Sequence, residues 1–146
     1  MMKILLLTLI VLLLSVNSSA QTAETKSVRV PLENYIQAHA TGSGELMRKA
    51  FQTDAKIISF NNGKFNQLTV EEFASRFTGK PATDEKDRKR KIESVEITGN
   101  AAIAKIVLDY PTVKFTDFMS LLKIDGEWKI VNKTFYADVK PQKPTK

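Results

Sequence analysis

The stretch Asp117-Phe118-Met119-Ser120-Leu121-Leu122-Lys123-Ile124-Asp125-Gly126-Glu127-Trp128-Lys129-Ile130-Val131-Asn132-Lys133 decides the fold. Apolar residues alternate with polar ones on both sides of Asp125-Gly126, and Asp-Gly between alternating runs signals a two-residue hairpin. Such a turn pairs Lys123 with Trp128, Leu121 with Ile130, Met119 with Asn132 and Asp117 with Thr134. Working backward, Gly99-Asn100 and Pro111-Thr112 separate further runs of period two. Four long strands follow, Arg90–Thr98, Ala101–Tyr110, Val113–Ile124 and Glu127–Val139. Carrying the register through each turn places Val95, Ile97, Ala102, Ala104, Ile106, Leu108, Phe115, Met119, Leu121, Trp128 and Ile130 on one face. Residues opposite one another in antiparallel strands share a face, so this side packs on the rest of the chain. The same register puts Glu93, Asp117, Asn132, Thr134 and Tyr136 on the inner side. It puts Phe118, Leu122, Val131 and Phe135 outside among lysines, an apolar patch suited to self-association.

Upstream the period is 3.6. Pro31 suits a first helical turn, and Leu32, Tyr35, Ile36 and His39 then form one apolar face. Ser43 caps a second helix carrying Leu46, Met47, Ala50 and Phe51. A strand follows over Ala55–Phe60, then the Asn61-Asn62-Gly63 turn and a short extended piece. Thr69 and Glu72 form a capping box for a third helix running through Phe77. This order reads as α+β, with three N-terminal helices packed on a strongly curved, mainly antiparallel sheet.

Residues 1–20 have the pattern of a secretory signal peptide. Lys3 is basic, Ile4–Leu14 is apolar apart from Thr8, and Ser18-Ser19-Ala20 offers a cleavage site. The apolar run is too short for a bilayer core, which needs roughly 20 residues, so no membrane anchor is expected after cleavage. Residues 21–30 read as a flexible lead-in, 31–139 as a single domain and 140–146 as a disordered tail. The mature product would be exported, periplasmic or extracellular.

The chain has 146 residues with one His and no Cys, which excludes zinc sites built on Cys and His, iron–sulfur clusters, disulfides and a Cys nucleophile. No Gly-rich phosphate loop, nucleophile elbow or carboxylate cluster appears, so no cofactor or metal is implied. The formal net charge of +6 falls to +5 without Lys3. The basic run Lys86–Lys91 is interleaved with acids and lacks aromatic partners, so it reads as a solvated loop and not a nucleic-acid surface.

Candidate site residues are those the register turns toward the helices. His39 is the lone imidazole, and Asp117 is an acid among apolar neighbours, so either could act as a base. Tyr35, Tyr136 and Asn132 offer hydrogen bonds, and Trp128 a stacking surface. Small Ala102 and Ala104 leave room for a pocket lined by Tyr35, His39, Asp117, Trp128, Asn132 and Tyr136.

The segments Tyr35-Ile36, Thr41-Gly42, Ala50–Ala55, Glu72-Phe73 and Asp117–Lys133 resemble the putative lumazine-binding family of the nuclear transport factor 2-like superfamily. The resemblance spans nearly all of 31–139 and implies a cystatin-like cone with an internal pocket. It supplies no catalytic set. The chain is thus expected to be an exported domain that binds an unidentified small molecule and forms a homodimer through the outer sheet face. An isomerase or dehydratase using Asp117 or His39 as base is the alternative. A protein-interaction module without ligand is a third.

Overall fold

A computed structural model describes residues 2–141, with side chains from Gln21 onward. The signal-peptide reading of 1–20 therefore rests on side chains outside that range, as does most of the proposed tail. Helices α1 (Met2–Thr41) and α2 (Gly44–Ala50) precede strands β1 (Phe51–Asn61) and β2 (Lys64–Thr69). Helix α3 (Val70–Ala74) and a short 3₁₀ turn (Glu85–Asp87) lead into β3 (Lys89–Thr98), β4 (Ala101–Asp109), β5 (Val113–Ile124) and β6 (Glu127–Val139). The class is α+β as expected. Two helices, not three, precede the first strand, because α3 falls between β2 and β3.

The strands form one curved six-stranded sheet in the order β2-β1-β6-β5-β4-β3. All neighbours are antiparallel except β1 and β6, which run parallel. Local chemistry explains the turns. Asn62 and Gly63 have φ of 51° and 73°, and Asp125 and Gly126 have 51° and 86°, the left-handed pair that a tight hairpin requires. Ser43 accepts from the Leu46 amide at 3.2 Å, and Thr69 and Glu72 complete the reciprocal cap of α3.

The inner face packs on α1 and α2. Leu32, Met47, Ile57, Ile106, Leu121 and Ile130 are all 2 % exposed or less. Each such side chain contributes about 1.5–3 kcal/mol by leaving water.

Two bulges change the expected facing. Leu121 pairs with Ile130, but Ser120 pairs with Asn132, leaving Val131 as an extra residue on β6. Beyond it, Met119 faces Lys133 and Asp117 faces Phe135. An inserted residue inverts everything past it in a structure of period two. Asn132, Thr134 and Tyr136 are therefore on the outer face, contrary to expectation, and Lys133 and Phe135 are turned inward. On β3, Ile92 pairs with Ile106 and Ser94 with Lys105, so Glu93 is the bulged residue. It is exposed and ion-paired to Lys105 at 2.9 Å, not inward.

The N-terminal expectation also changes. Residues 21–30 are helical, not a flexible lead-in, and α1 passes through Pro31 instead of starting there. Val28 is fully buried. Glu24 accepts from Trp128 Nε1 at 2.6 Å and from Lys123 Nζ at 2.8 Å, so this turn is tied to the β5–β6 hairpin.

Candidate functional site

The bulge at Val131 is what makes the site, because it sends the Lys133 side chain beneath α1. Lys133 Nζ donates to the Tyr35 hydroxyl at 2.7 Å. That hydroxyl in turn donates to Asp117 Oδ2 at 2.6 Å. Lys133 Nζ also stands 3.2 Å from Asp117 Oδ1, an ion-pair contact whose angle is poor enough to leave Oδ1 without an aligned donor. Tyr35 and Asp117 are 0 % exposed and Lys133 4 %. An acid and a base are thus held in the interior, each retaining part of its hydrogen-bonding capacity.

Aromatic rings surround this trio. The Lys133 nitrogen lies 5.0 Å from the ring centres of Tyr35 and Phe73 and 4.6 Å from that of Phe135, inside cation–π range. His39 meets Tyr35 edge-on at 4.7 Å and Phe77 at 5.1 Å. Its Nδ1 is 3.3 Å from the Tyr110 hydroxyl, and its Nε2 is buried without a partner. Phe73, Phe77, Phe115 and Phe135 are half-buried, so Lys133 sits one layer of side chains below the surface.

Arg90 secures the rim. It grips Glu85 with two bonds of 2.6 and 2.7 Å and donates to the His39 carbonyl at 3.3 Å. Arg88 lies over the Tyr110 ring at 4.2 Å and bonds Asp84 at 2.7 Å. Two cations of the basic run are therefore part of the wall of this site.

The electrostatics follow from burial. Desolvation holds the His39 imidazole well below its usual range, helped by the nearby Lys133, Arg90 and Arg88 charges. Burial and the neighbouring Asp117 carboxylate push the Tyr35 phenol well above its ordinary value. For Lys133, desolvation lowers the ammonium pKa against the opposing attraction of Asp117. A neutral imidazole, a phenol that keeps its proton and an amine easier to deprotonate than usual can together bind or polarise an oxygen-bearing group.

The six expected site residues divide into three sets. Tyr35, His39 and Asp117 come together here, although Asp117 contacts Tyr35 and Lys133 while His39 contacts Tyr110. Trp128 is at another position, lining an open pocket of about 240 Å³ with Ser27, Val30, Pro31, Asn34 and Lys49. Asn132 borders an outer-face groove of about 310 Å³ with Ile103, Phe118 and Thr134, and Tyr136 is exposed on the same face. Lys133, Phe73 and Phe135 are additions. No group of three or more potential metal ligands is found among the described residues.

The family model described as "Putative lumazine-binding" matches residues 23–136. A solved structure of an NTF2-like protein of unknown function from Shewanella baltica OS155 is 26 % identical, with a TM-score of 0.72, covering 80 % of this chain and 95 % of that one. Another from Methylobacillus flagellatus KT is 30 % identical, with a TM-score of 0.69 and coverage of 80 % and 93 %. Among curated proteins, one named aldolase FrzH, from Cladobotryum sp., is 27 % identical over 105 residues, covering 70 % of this chain and 82 % of that protein.

Proposed function

Because the chain belongs to the putative lumazine-binding family, with a nuclear transport factor 2-like fold, we propose that it binds a small, flat, largely apolar molecule carrying a carbonyl group. The site we assign is the cluster of His39, Phe73, Phe77 and Phe135 around Lys133, Tyr35 and Asp117, which a ligand would enter by parting the half-buried rings. One observation carries this reading. An amine, a phenol and a carboxylate are joined by hydrogen bonds of 2.6 and 2.7 Å and an ion-pair contact of 3.2 Å beneath aromatic rings, and a few polar groups converging in an apolar setting are the common signature of a ligand site. The rings stack on the ligand plane, and Lys133 and Tyr35 meet its oxygen.

Native mass spectrometry of the exported protein tests this, together with titration of lumazine as a flat dicarbonyl probe. A bound mass lost on denaturation supports the reading, as does saturable lumazine binding weakened about tenfold by Phe73→Ala. That factor corresponds to the ~1.4 kcal/mol expected for a lost aromatic contact. Absence of both results refutes it.

A second reading, an enzyme acting on a carbonyl compound, is favoured by the buried amine and by the relative named an aldolase. It differs from the isomerase or dehydratase expected to use Asp117 or His39 as base, since Asp117 is engaged by Lys133 and Tyr35. We further propose that residues 1–20 direct export, and that two copies associate through the outer face. Ile103, Phe118 and Leu122 are 57 %, 53 % and 39 % exposed there. The mass of the secreted chain and sedimentation of Phe118→Asp test these two points.

A further inference from the structure

We propose that Lys133 forms a covalent imine with a carbonyl ligand, with Asp117 and Tyr35 relaying the protons. This rests on the reading that the ring-walled site admits a carbonyl compound.

Position is the first argument. Lys133 is the lysine of β6 that the Val131 bulge turns inward, whereas Lys129, on the outward register, stays at the surface and pairs with Glu127 at 3.2 Å. Lys133 Nζ is 2.7 Å from one proton-carrying oxygen and 3.2 Å from a carboxylate oxygen lacking an aligned donor. Its remaining direction faces aromatic rings. A lysine becomes more nucleophilic when it is desolvated in apolar surroundings, and burial makes the Lys133 ammonium easier to deprotonate against the opposing pull of Asp117.

The step balances within the trio. The neutral amine attacks the carbonyl carbon, forming the C–N bond while the C=O π pair moves to oxygen. One Nζ hydrogen passes to Asp117, and the Tyr35 hydroxyl protonates the new alkoxide. Tyr35 recovers its proton from Asp117 across their 2.6 Å bond. The second Nζ hydrogen follows the same path as the nitrogen lone pair closes the C=N bond and the C–O bond breaks. The carbonyl oxygen leaves as water with both Nζ hydrogens. No oxidant, metal or other co-reactant is needed.

The test is reductive trapping. The protein, expressed from the full chain, is incubated at neutral pH with benzaldehyde and cyanoborohydride, which reduces an imine to a stable benzylamine. Adducts are located by peptide mass mapping, and noncovalent benzaldehyde binding is followed in parallel by thermal shift without the reductant. The expected result is labelling at Lys133 roughly tenfold faster than at exposed Lys114, as suits an amine desolvated among apolar rings. Lys133→Arg should abolish the fast phase, and Asp117→Asn should slow it. Benzaldehyde binding with labelling confined to surface lysines overturns the imine and leaves the ligand reading standing. Neither binding nor labelling at Lys133 overturns both. The mapping uses the unmodified protein, so the outcome does not depend on any variant folding.

Discussion

Lys133 Nζ and Asp117 Oδ1 stand 3.2 Å apart with side chains only 5 % and 0 % exposed. Bringing both charges out of water costs several kcal/mol apiece, and their attraction offsets this only while both remain. Removing one partner strands the other. We therefore expect Asp117→Ala to cost about 3–5 kcal/mol. The double replacement Lys133→Met with Asp117→Leu should cost less than either single change, because an apolar pair suits the surrounding rings. Urea denaturation, read as a change in midpoint at constant slope, checks this. Additive losses would mean that the pair is not coupled in solution.

His39 gives the fold a pH dependence of a particular sign. Its imidazole is held neutral by burial and nearby cations, while in the unfolded chain it titrates near 6.5. Below that value the unfolded state binds a proton that the folded state refuses. The contribution is complete above the unfolded pKa and is lost as pH falls toward the lowered folded value, with a slope of up to about 1.4 kcal/mol per pH unit. Chemical denaturation between pH 7.5 and 5 should show this slope, and His39→Gln should flatten it. An unchanged slope in the variant would exclude His39 as its source.

The same residues show how much was legible in the sequence. Alternation and turn chemistry located all four long strands within a residue or so, and the register held from Ile97 through Leu121 to Ile130. What failed was the facing beyond Val131 and Glu93. The signal was present in the sequence. An unbroken register placed Asn132, Thr134 and Tyr136 inside and Val131 and Phe135 outside, an inversion of the apolar pattern that a single inserted residue repairs. Glu93 beside Ile92 carries the same mark. Bulges are not required by any one residue type, so the pattern could reveal them only when read as a conflict between register and hydrophobicity. The lead-in was misjudged for another reason. The helix over residues 21–30 is anchored by Glu24 reaching Lys123 and Trp128, a long-range contact with no local signature.

That anchor is itself testable, since Trp128 is the single tryptophan of the chain. Bonds from Lys123 and Trp128 hold the Glu24 carboxyl below its usual range. The contribution of this contact persists at pH values where exposed glutamates are already protonated, and disappears as pH falls through the lowered pKa. Indole emission should therefore change with a midpoint below the ordinary Glu value near 4.3, and Glu24→Gln should remove the transition. Hydrogen exchange over residues 21–30 should quicken in that variant. Rapid exchange there in the unmodified protein would contradict the helical anchor.

Gly42 links the ends of the helical layer to the rim of the site. It has φ of 71°, and a Cβ there would run into the Lys80 carbonyl group. Its own carbonyl accepts from the Gly79 amide at 2.7 Å. Gly79 has nearly the same backbone conformation, φ of 78°, but open space around its Cβ position. The pair therefore separates backbone strain from close packing. Gly79→Ala should cost only the left-handed penalty, about 1–2 kcal/mol. Gly42→Ala adds a clash with backbone that cannot rotate away, so it should cost at least twice as much by denaturant midpoint. The chain segment after α3 must shift to relieve it, and that segment follows Phe77, whose ring packs 5.1 Å from His39. Gly42→Ala should consequently also raise the folded-state pKa of His39, measured by NMR titration, as water reaches the imidazole. Equal costs for the two variants would mean that the α1–α2 turn and the Lys80 backbone do not stay in contact in solution.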